Sequence, residues 1–560
     1  MVFSSITFVY AFFPLVAAAY YLSKNRVYRN VVLLLASLLF YSWGEPRFLL
    51  LMLAATLAAY CGGLLMERCT AHRKLILIVT VVLLVGNLFV FKYLNFFSEN
   101  LSALFGWSAL PKLTLPIGIS FYTFQILSYV IDLYRGEIRV QRNYFYLLLY
   151  VSFFPQLIAG PIVRYETVEQ EIQERHESID DVAAGLRRFI LGLAKKVILA
   201  NNIARIAETI YAGDSAVYGT TLYWLAAVAY ALQIYFDFSG YSDMAIGLGR
   251  MFGFHFLENF DHPYTALSIT DFWRRWHISL STWFRDYVYI PLGGNRVKKS
   301  RWIRNLLVVW ALTGFWHGAQ WNFLFWGLYY GLLLLAEKLF LGHLLERLPK
   351  AVRWLYTAFF VLIGWVLFNL TDFPSLCHAL KLMFVPQATD WVAAAATNVS
   401  LLKAVVYLPL GIVCCLPLLR REPKSTKGIL LADLASGLLL IVCIVFILSS
   451  SYNPFIYFRS CLRAGAACAC QKRIFDKLSN ETRFTGLSFE RAAARGSARR
   501  ARLRRTFRTF ASRAVFSPTY TPPEKMISIL FAPAGANSAR LFSTVRGGSC
   551  FRAGAAFSRG

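Results

Sequence analysis

Residues 311–327 read ALTGFWHGAQWNFLFWG, a run holding three tryptophans, three phenylalanines and one imidazole, His317. The polar side chains near it are Thr313, Gln320 and Asn322. A stretch this apolar belongs at membrane depth, and an imidazole there still has one donor and one acceptor to satisfy, so His317 is expected to face the interior of a helix bundle rather than lipid. From residue type and place alone two readings stand: a general base, or a structural histidine that bridges two helices.

The rest of the chain fits that setting. It is 57% hydrophobic and 16% charged, with a mean hydropathy of +0.51, well outside the range of a soluble globular chain. Apolar runs recur near residues 2–22, 30–43, 47–66, 75–92, 143–160, 186–203, 218–236, 304–318, 320–340, 352–370, 400–418 and 428–450. They predict an all-α multi-pass membrane protein with roughly ten to twelve crossings. The first basic residue, Lys24, follows the first apolar run instead of preceding it, so that run is expected to stay as a helix and not be cleaved as a signal peptide. The clusters Lys24/Arg26/Arg29, Arg68/Arg73/Lys74 and Arg135/Arg139/Arg142 are assigned to the cytoplasmic side, with the N-terminus outside.

Common soluble chemistries lack their signatures. The sequence has no P-loop, GxGxxG, GxSxG or HExxH, and its ten cysteines form neither a CxxC pair nor a cluster at metal-ligand spacing. No metal site is expected. The formal charge of +28 does not point to nucleic acid, because residues 460–560 alone carry a net +15.

Three regions depart from simple spans. Residues 111–125, PKLTLPIGISFYTFQ, put Pro116 and Gly118 at the head of an apolar run, which predicts a broken or re-entrant helix lining a cavity. Residues 161–185, PIVRYETVEQEIQERHESIDDVAAG, are too acidic to span; they predict a loop with a surface helix, and His176 is read as part of a solvated face. Residues 233–304 mix apolar and charged groups densely, with Asp237, Asp243, Arg274, Arg275, His277, Arg285 and Asp286 among aromatics. Such charges are too costly to face lipid. They are expected to line a polar interior, pair with one another, or lie at the interface, on short helices divided by Pro263, Pro291 and Gly293-Gly294-Asn295. His277 stands beside Arg274 and Arg275, whose charges would keep a nearby imidazole neutral, as a base must be. His255 and His262 flank the ENFDHPY loop as structural or cavity residues, and His72, His343 and His378 lie beside expected helix ends.

Several long segments, taken in order, carry a resemblance: FFPQLIAGPIVRY (153–165), FDFSGYSDMAIGLGRMFGFHFLENFDHPY (236–264), FWRRWHISLSTWFRDYVYIPLGGNR (272–296) and LTGFWHGAQWNF (312–323), with MVFSSITFVYAFFPLVAAAYYL (1–22) and PIGISFYTFQILSYVIDLYRG (116–136) ahead of them. Together they resemble the membrane-bound O-acyltransferase family, in its bacterial branch serving polysaccharide O-acetylation, over residues 1–459. The resemblance implies short re-entrant helices around a central funnel and a place in the bacterial inner membrane. It also implies that His317 corresponds to the catalytic histidine of the family's W-H-G motif and His277 to the second, upstream active-site position. Asp237, Ser239, Tyr241, Asp243, Trp276, Arg285, Trp316 and Asn322 are the expected cavity-lining residues. The implied reaction moves acetyl groups from a cytoplasmic donor, acetyl-CoA, toward partner acetyltransferases in the periplasm that place them on an exported polysaccharide, alginate first. Peptidoglycan O-acetylation, teichoic-acid D-alanylation and a non-enzymatic transporter are the rivals. No bound cofactor is implied, and membrane lipids are the remaining partners.

Beyond residue 459 the resemblance ends. Residues 460–560 hold 16 Arg and 3 Lys without sustained periodicity, and read as a basic, disordered tail, either out-of-frame or read-through sequence, or a basic arm for anionic lipid.

Overall fold

A computed structural model describes residues 1–213, 217–397, 399–417 and 425–449. The expectations for the 460–560 tail lie outside the described residues. All regular structure within them is helical.

The first group of helices is α1 (Phe13–Tyr21), α2 (Arg26–Gly44), α3 (Leu49–Arg68), α4 (Arg73–Lys92) and α5 (Leu94–Phe105). Each boundary has a local cause. The Asn25 side chain accepts the Tyr28 N–H to start α2, and Gly106 ends α5 in the left-handed conformation. The chain then runs without regular structure to Gly118, whose φ of +78° turns it into α6 (Ile119–Arg135). A Cβ at Gly118 would lie 2.9 Å from the Leu157 carbonyl oxygen, so both conformation and space require glycine here. The broken helix expected at 111–125 thus takes the form of an irregular approach followed by a helix buried along nearly all its length.

Next come α7 (Tyr144–Ser152), α8 (Tyr165–Glu174), α9 (Ile179–Ala194) and α10 (Asn201–Ala212), the last two joined by one wide turn at Lys195–Ala200. The apolar run 143–160 is not one helix. It leaves helical geometry at Phe153, ahead of Pro155, and continues as buried turns, with the Phe154 N–H donating to Ser37 Oγ at 3.1 Å. The α8 segment is less superficial than its acidity suggests. Tyr165, Val168 and Ile172 are buried, while His176 is exposed.

The longest helix, α11 (Thr220–Met251), lies antiparallel against α9. Glycines recur seven residues apart on both, Gly185 and Gly192 on one, Gly240 and Gly247 on the other. Gly185 meets Gly247 and Gly192 meets Gly240, so closely that any added Cβ would fall 2.5 to 2.8 Å from the facing carbonyl oxygen. Small residues at two-turn spacing let two backbones touch, the contact that membrane helices rely on where hydrophobic association is absent. Two charged clusters lock the pair. Lys196 and Asp237 are paired at 2.5 Å, both almost fully buried, and Asp243 sits between Lys195 at 2.6 Å and Arg188 at 2.9 Å.

A platform of short helices follows, α12 (Ile269–Arg275) and α13 (Ile278–Phe284), then α14 (Lys299–His317), α15 (Trp321–Ala336), α16 (Gly342–Glu346), α17 (Lys350–Asn369), α18 (Phe373–Phe384), α19 (Trp391–Thr397), α20 (Val399–Cys414) and α21 (Thr426–Ser449). Glu337, just past α15, accepts the Ile269 N–H at 2.7 Å and the Thr270 N–H at 2.9 Å, so a buried carboxylate caps α12 from a neighbouring helix.

Six helical stretches among the described residues are long and apolar enough to cross a membrane: Arg26–Gly44, Pro46–Arg68, Thr70–Lys92, Trp321–Glu346, Lys350–Asn369 and Thr426–Ser449. Of the other apolar runs, 218–236 lies in α11, which like α6 is enclosed by other helices; between them these two hold buried Gln125, Asp132 and Asp237 without exposing them to lipid. The basic loops meet at one end. Arg142 reaches Glu67 at 3.1 Å, Arg73 reaches the Leu133 carbonyl at 3.1 Å, and Arg135 and Arg164 both bind Asp286.

Candidate active site

The two histidines singled out in the sequence arrive from different elements and pack against one tryptophan. His317 is the last residue of α14. The chain turns through Gly318 to Gln320 and re-enters as α15, and the two helices cross where Gly314 meets the backbone of Phe323 and Gly327 meets that of Trp310. This close hairpin fixes the end of α14. Ring contacts then surround the imidazole: Trp316 at 5.0 Å between centroids, Trp326 at 5.1 Å and Phe368 at 5.3 Å. The residue as a whole is half-buried, while its Nδ1 is buried.

His277 is held differently. Ser268 caps α12 by accepting the Asp271 N–H at 3.0 Å, α12 ends at Arg275, and two residues, Trp276 and His277, lead into α13. His277 has φ +46°, one of two non-glycine residues with positive φ among those described; the other is His262. Left-handed backbone at a histidine costs energy that the surrounding contacts must hold in place, a pattern that concentrates at functional positions. The ring is 1% exposed, edge-on to Phe238 at 4.6 Å and to Trp316 at 6.0 Å.

The hydrogen bonds around His277 determine its tautomer. Asn259 Oδ1 accepts the Ser279 N–H at 3.2 Å and the Ser279 hydroxyl at 2.9 Å, while its amide nitrogen donates to Ser242 Oγ at 3.1 Å. A backbone N–H can only donate, so the Asn259 oxygen is oriented toward this group. His277 Nδ1, 3.1 Å from the same oxygen, must then carry the proton and donate. That leaves Nε2 as an acceptor. It is buried and has no protein hydrogen-bond partner.

The expected cavity residues divide. Trp316 touches both histidine rings. Asn322 donates from α15 toward the Leu367 and Phe368 carbonyls at 3.4 Å, holding the end of α17 that walls His317. Ser239 is buried with no protein partner for its hydroxyl, and Tyr241 stacks on Phe3 at 4.7 Å. Asp237 and Asp243 face α9 in the ion pairs above. Trp276 packs into an aromatic cluster with Phe260 at 5.0 Å and Trp365 at 4.7 Å. The Arg285 side chain, 60% exposed, bonds Asp286 at the basic end, apart from the histidine pair. Among the described residues no three His, Cys, Asp or Glu side chains gather as a metal site.

Sequence reading missed two residues. Asn259 lay inside a quoted motif, ENFDHPY, but an amide has no signal of its own. Lys92, at the end of α4, is buried beside Ser120 and Trp316; in sequence it resembles any lysine closing an apolar run.

Residues 133–376, which hold both histidines' elements, match the membrane-bound O-acyltransferase family. The chain is 44% identical over 394 residues to a probable alginate O-acetylase of Pseudomonas aeruginosa, covering 69% of this chain and 75% of that one. It is 40% identical over 494 residues to the corresponding protein of Pseudomonas putida, covering 82% of this chain and all of that one. A peptidoglycan O-acetyltransferase of Helicobacter pylori is 33% identical over 517 residues, 82% of this chain and 97% of that one. This helical, multi-pass chain, with one imidazole at the turn of a helical hairpin and a second packed against the same tryptophan, belongs to the membrane-bound O-acyltransferase family.

Proposed function

We propose that the chain acetylates alginate during its export across the bacterial inner membrane, drawing acetyl groups from cytoplasmic acetyl-CoA and working with periplasmic acetyltransferase partners. The observation that carries the chemistry is the pair of imidazoles packed against the same tryptophan, Trp316, and the likeness to alginate O-acetylases supports the acceptor.

In this reading His317 takes the proton from an acceptor hydroxyl as its oxygen attacks the thioester carbonyl. The new C–O bond forms, the C–S bond breaks, and the proton passes from His317 to the departing thiolate, so charge and protons balance. Acyl transfer needs a neutral base within hydrogen-bond reach and a wall against water, which would otherwise consume the donor. The aromatic surroundings of His317 supply that wall. His277, with Nε2 as an acceptor, receives a hydrogen bond from a second hydroxyl of the acceptor and so orients the attacking one.

This orientation role gives a first expectation. Asn259→Leu frees His277 to take either tautomer, and the transfer rate should fall roughly 10- to 100-fold, the range seen when a metal-bound histidine loses the group that orients it. A rate within twofold of wild type at equal protein level would remove the orienting role.

The function itself is tested by complementation. In cells lacking their own alginate acetylase, the chain should restore ester-linked acetate on alginate. If it restores acetate on peptidoglycan and none on alginate, the acceptor assignment is wrong.

A further inference from the structure

We infer that Lys92 is a positioning residue for acyl transfer, holding the end of the helix that presents His317 and setting a fixed positive charge beside it. The inference rests on the reading of His317 as the base.

A helix ending at His317 leaves its last carbonyls without intrahelical partners. Here the last residue of α4 and the residue after it supply them. Tyr93 donates its hydroxyl to the Phe315 carbonyl at 3.0 Å, and Lys92 Nζ donates to the Trp316 carbonyl. The same ammonium donates to Ser120 Oγ at 2.7 Å and lies 5.4 Å from the centre of the Trp316 ring, whose other neighbours are both histidines, Phe121 and Phe124. Three elements, α4, α6 and α14, therefore meet at one cation, bound to the residue just before the candidate base.

Stability does not account for a charge in this place. A cation at a helix C-terminus is favourable by well under the desolvation cost of burying an ammonium, and an apolar side chain of the same length would pack between Ser120 and Trp316. What the ammonium adds is direction and field. It fixes the Trp316 peptide, and with it the rotation of the helix end that aims the imidazole. It also places positive potential, worth most in a dry site, where negative charge grows on the acyl oxygen and the departing thiolate.

The test compares Lys92→Met, Lys92→Arg and His317→Ala in membranes containing the full chain, with acetyl-CoA as the varied donor and thermal stability followed in detergent. Lys92→Met should lower kcat at least 30-fold with KM for acetyl-CoA within threefold and a melting temperature within a few degrees of wild type. Lys92→Arg, which retains charge and donors, should recover kcat to within about fivefold of wild type. A kcat for Lys92→Met within threefold of wild type overturns the proposal. So does equal loss in both variants with matching loss of thermal stability, which is what a packing role predicts. His317→Ala separates the two ideas: activity surviving there defeats the base assignment itself, whereas activity lost there and kept in Lys92→Met defeats only the role of Lys92.

Discussion

His317→Ala, present in membranes at the wild-type level, should lose acetyl transfer by roughly 10²- to 10⁴-fold, the contribution of a positioned proton acceptor. The substitution removes the base while leaving its frame. Trp316 stays anchored through its carbonyl, the α14–α15 hairpin stays closed at Gly314 and Gly327, and the lost ring leaves a space against Trp326 and Phe368 at a helix end rather than a hole in a fully packed core. Folding should therefore survive. His317→Gln discriminates further, because an amide of similar reach can hydrogen-bond but cannot accept a proton. A structural bridge, or a transporter that uses polar groups as a path, would tolerate Gln; an acyltransferase would not. Acetate on the exported polymer, measured beside protein level by blot, decides between them. Near-normal acetylation by His317→Gln would return the histidine to the structural reading that residue type alone allows.

The residues that sequence exposes and those it hides differ in kind. His317 is legible because an imidazole inside three tryptophans and three phenylalanines has no cheap explanation, and the long motifs around both histidines carry a family resemblance that the relatives bear out. Spans are legible where helices face lipid, since there every residue must be apolar; they blur where helices are enclosed. α6 carries Ser120, Thr123, Gln125, Ser128 and Asp132 in its buried length, so hydropathy marks it weakly although it is central. Pairing is hidden altogether. Asp237 and Asp243 look like cavity residues when read along α11, and only the register with α9 sets Lys196, Lys195 and Arg188 against them. Lys92 and Asn259 act through backbone carbonyls and a tautomer, neither of which leaves a pattern in residue types. One signal was present and unread: the seven-residue glycine spacing shared by 185/192 and 240/247.

That spacing leads to the second large effect. Gly192→Ala should destabilise the protein, although replacing glycine by alanine inside a helix ordinarily gains up to about 1 kcal/mol. The new Cβ would lie 2.5 Å from the Gly240 carbonyl oxygen and 2.7 Å from Met244 N. Both are backbone atoms, so no side chain can swing aside and the helices must separate. Overpacking of this kind costs about 1–3 kcal/mol. Separation also strains the Lys196–Asp237 pair, and a buried pair pulled apart costs more than the pair contributed, about 3–5 kcal/mol when it breaks. Gly192→Val, larger and β-branched, should leave little folded protein to recover from membranes. Gly86→Ala is the control with the opposite sign. Gly86 lies in α4 with nothing within 4 Å of an added Cβ, so the helix gain is unopposed and thermal stability should hold or rise. Melting in detergent, followed by the monodisperse fraction after heating, gives both signs in one experiment. If Gly192→Ala melts with Gly86→Ala at or above wild type, the two backbones are not in contact. The platform that presents His277 would then need another explanation, since Ser242 reaches Asn259 from α11 only while α11 keeps its place against α9.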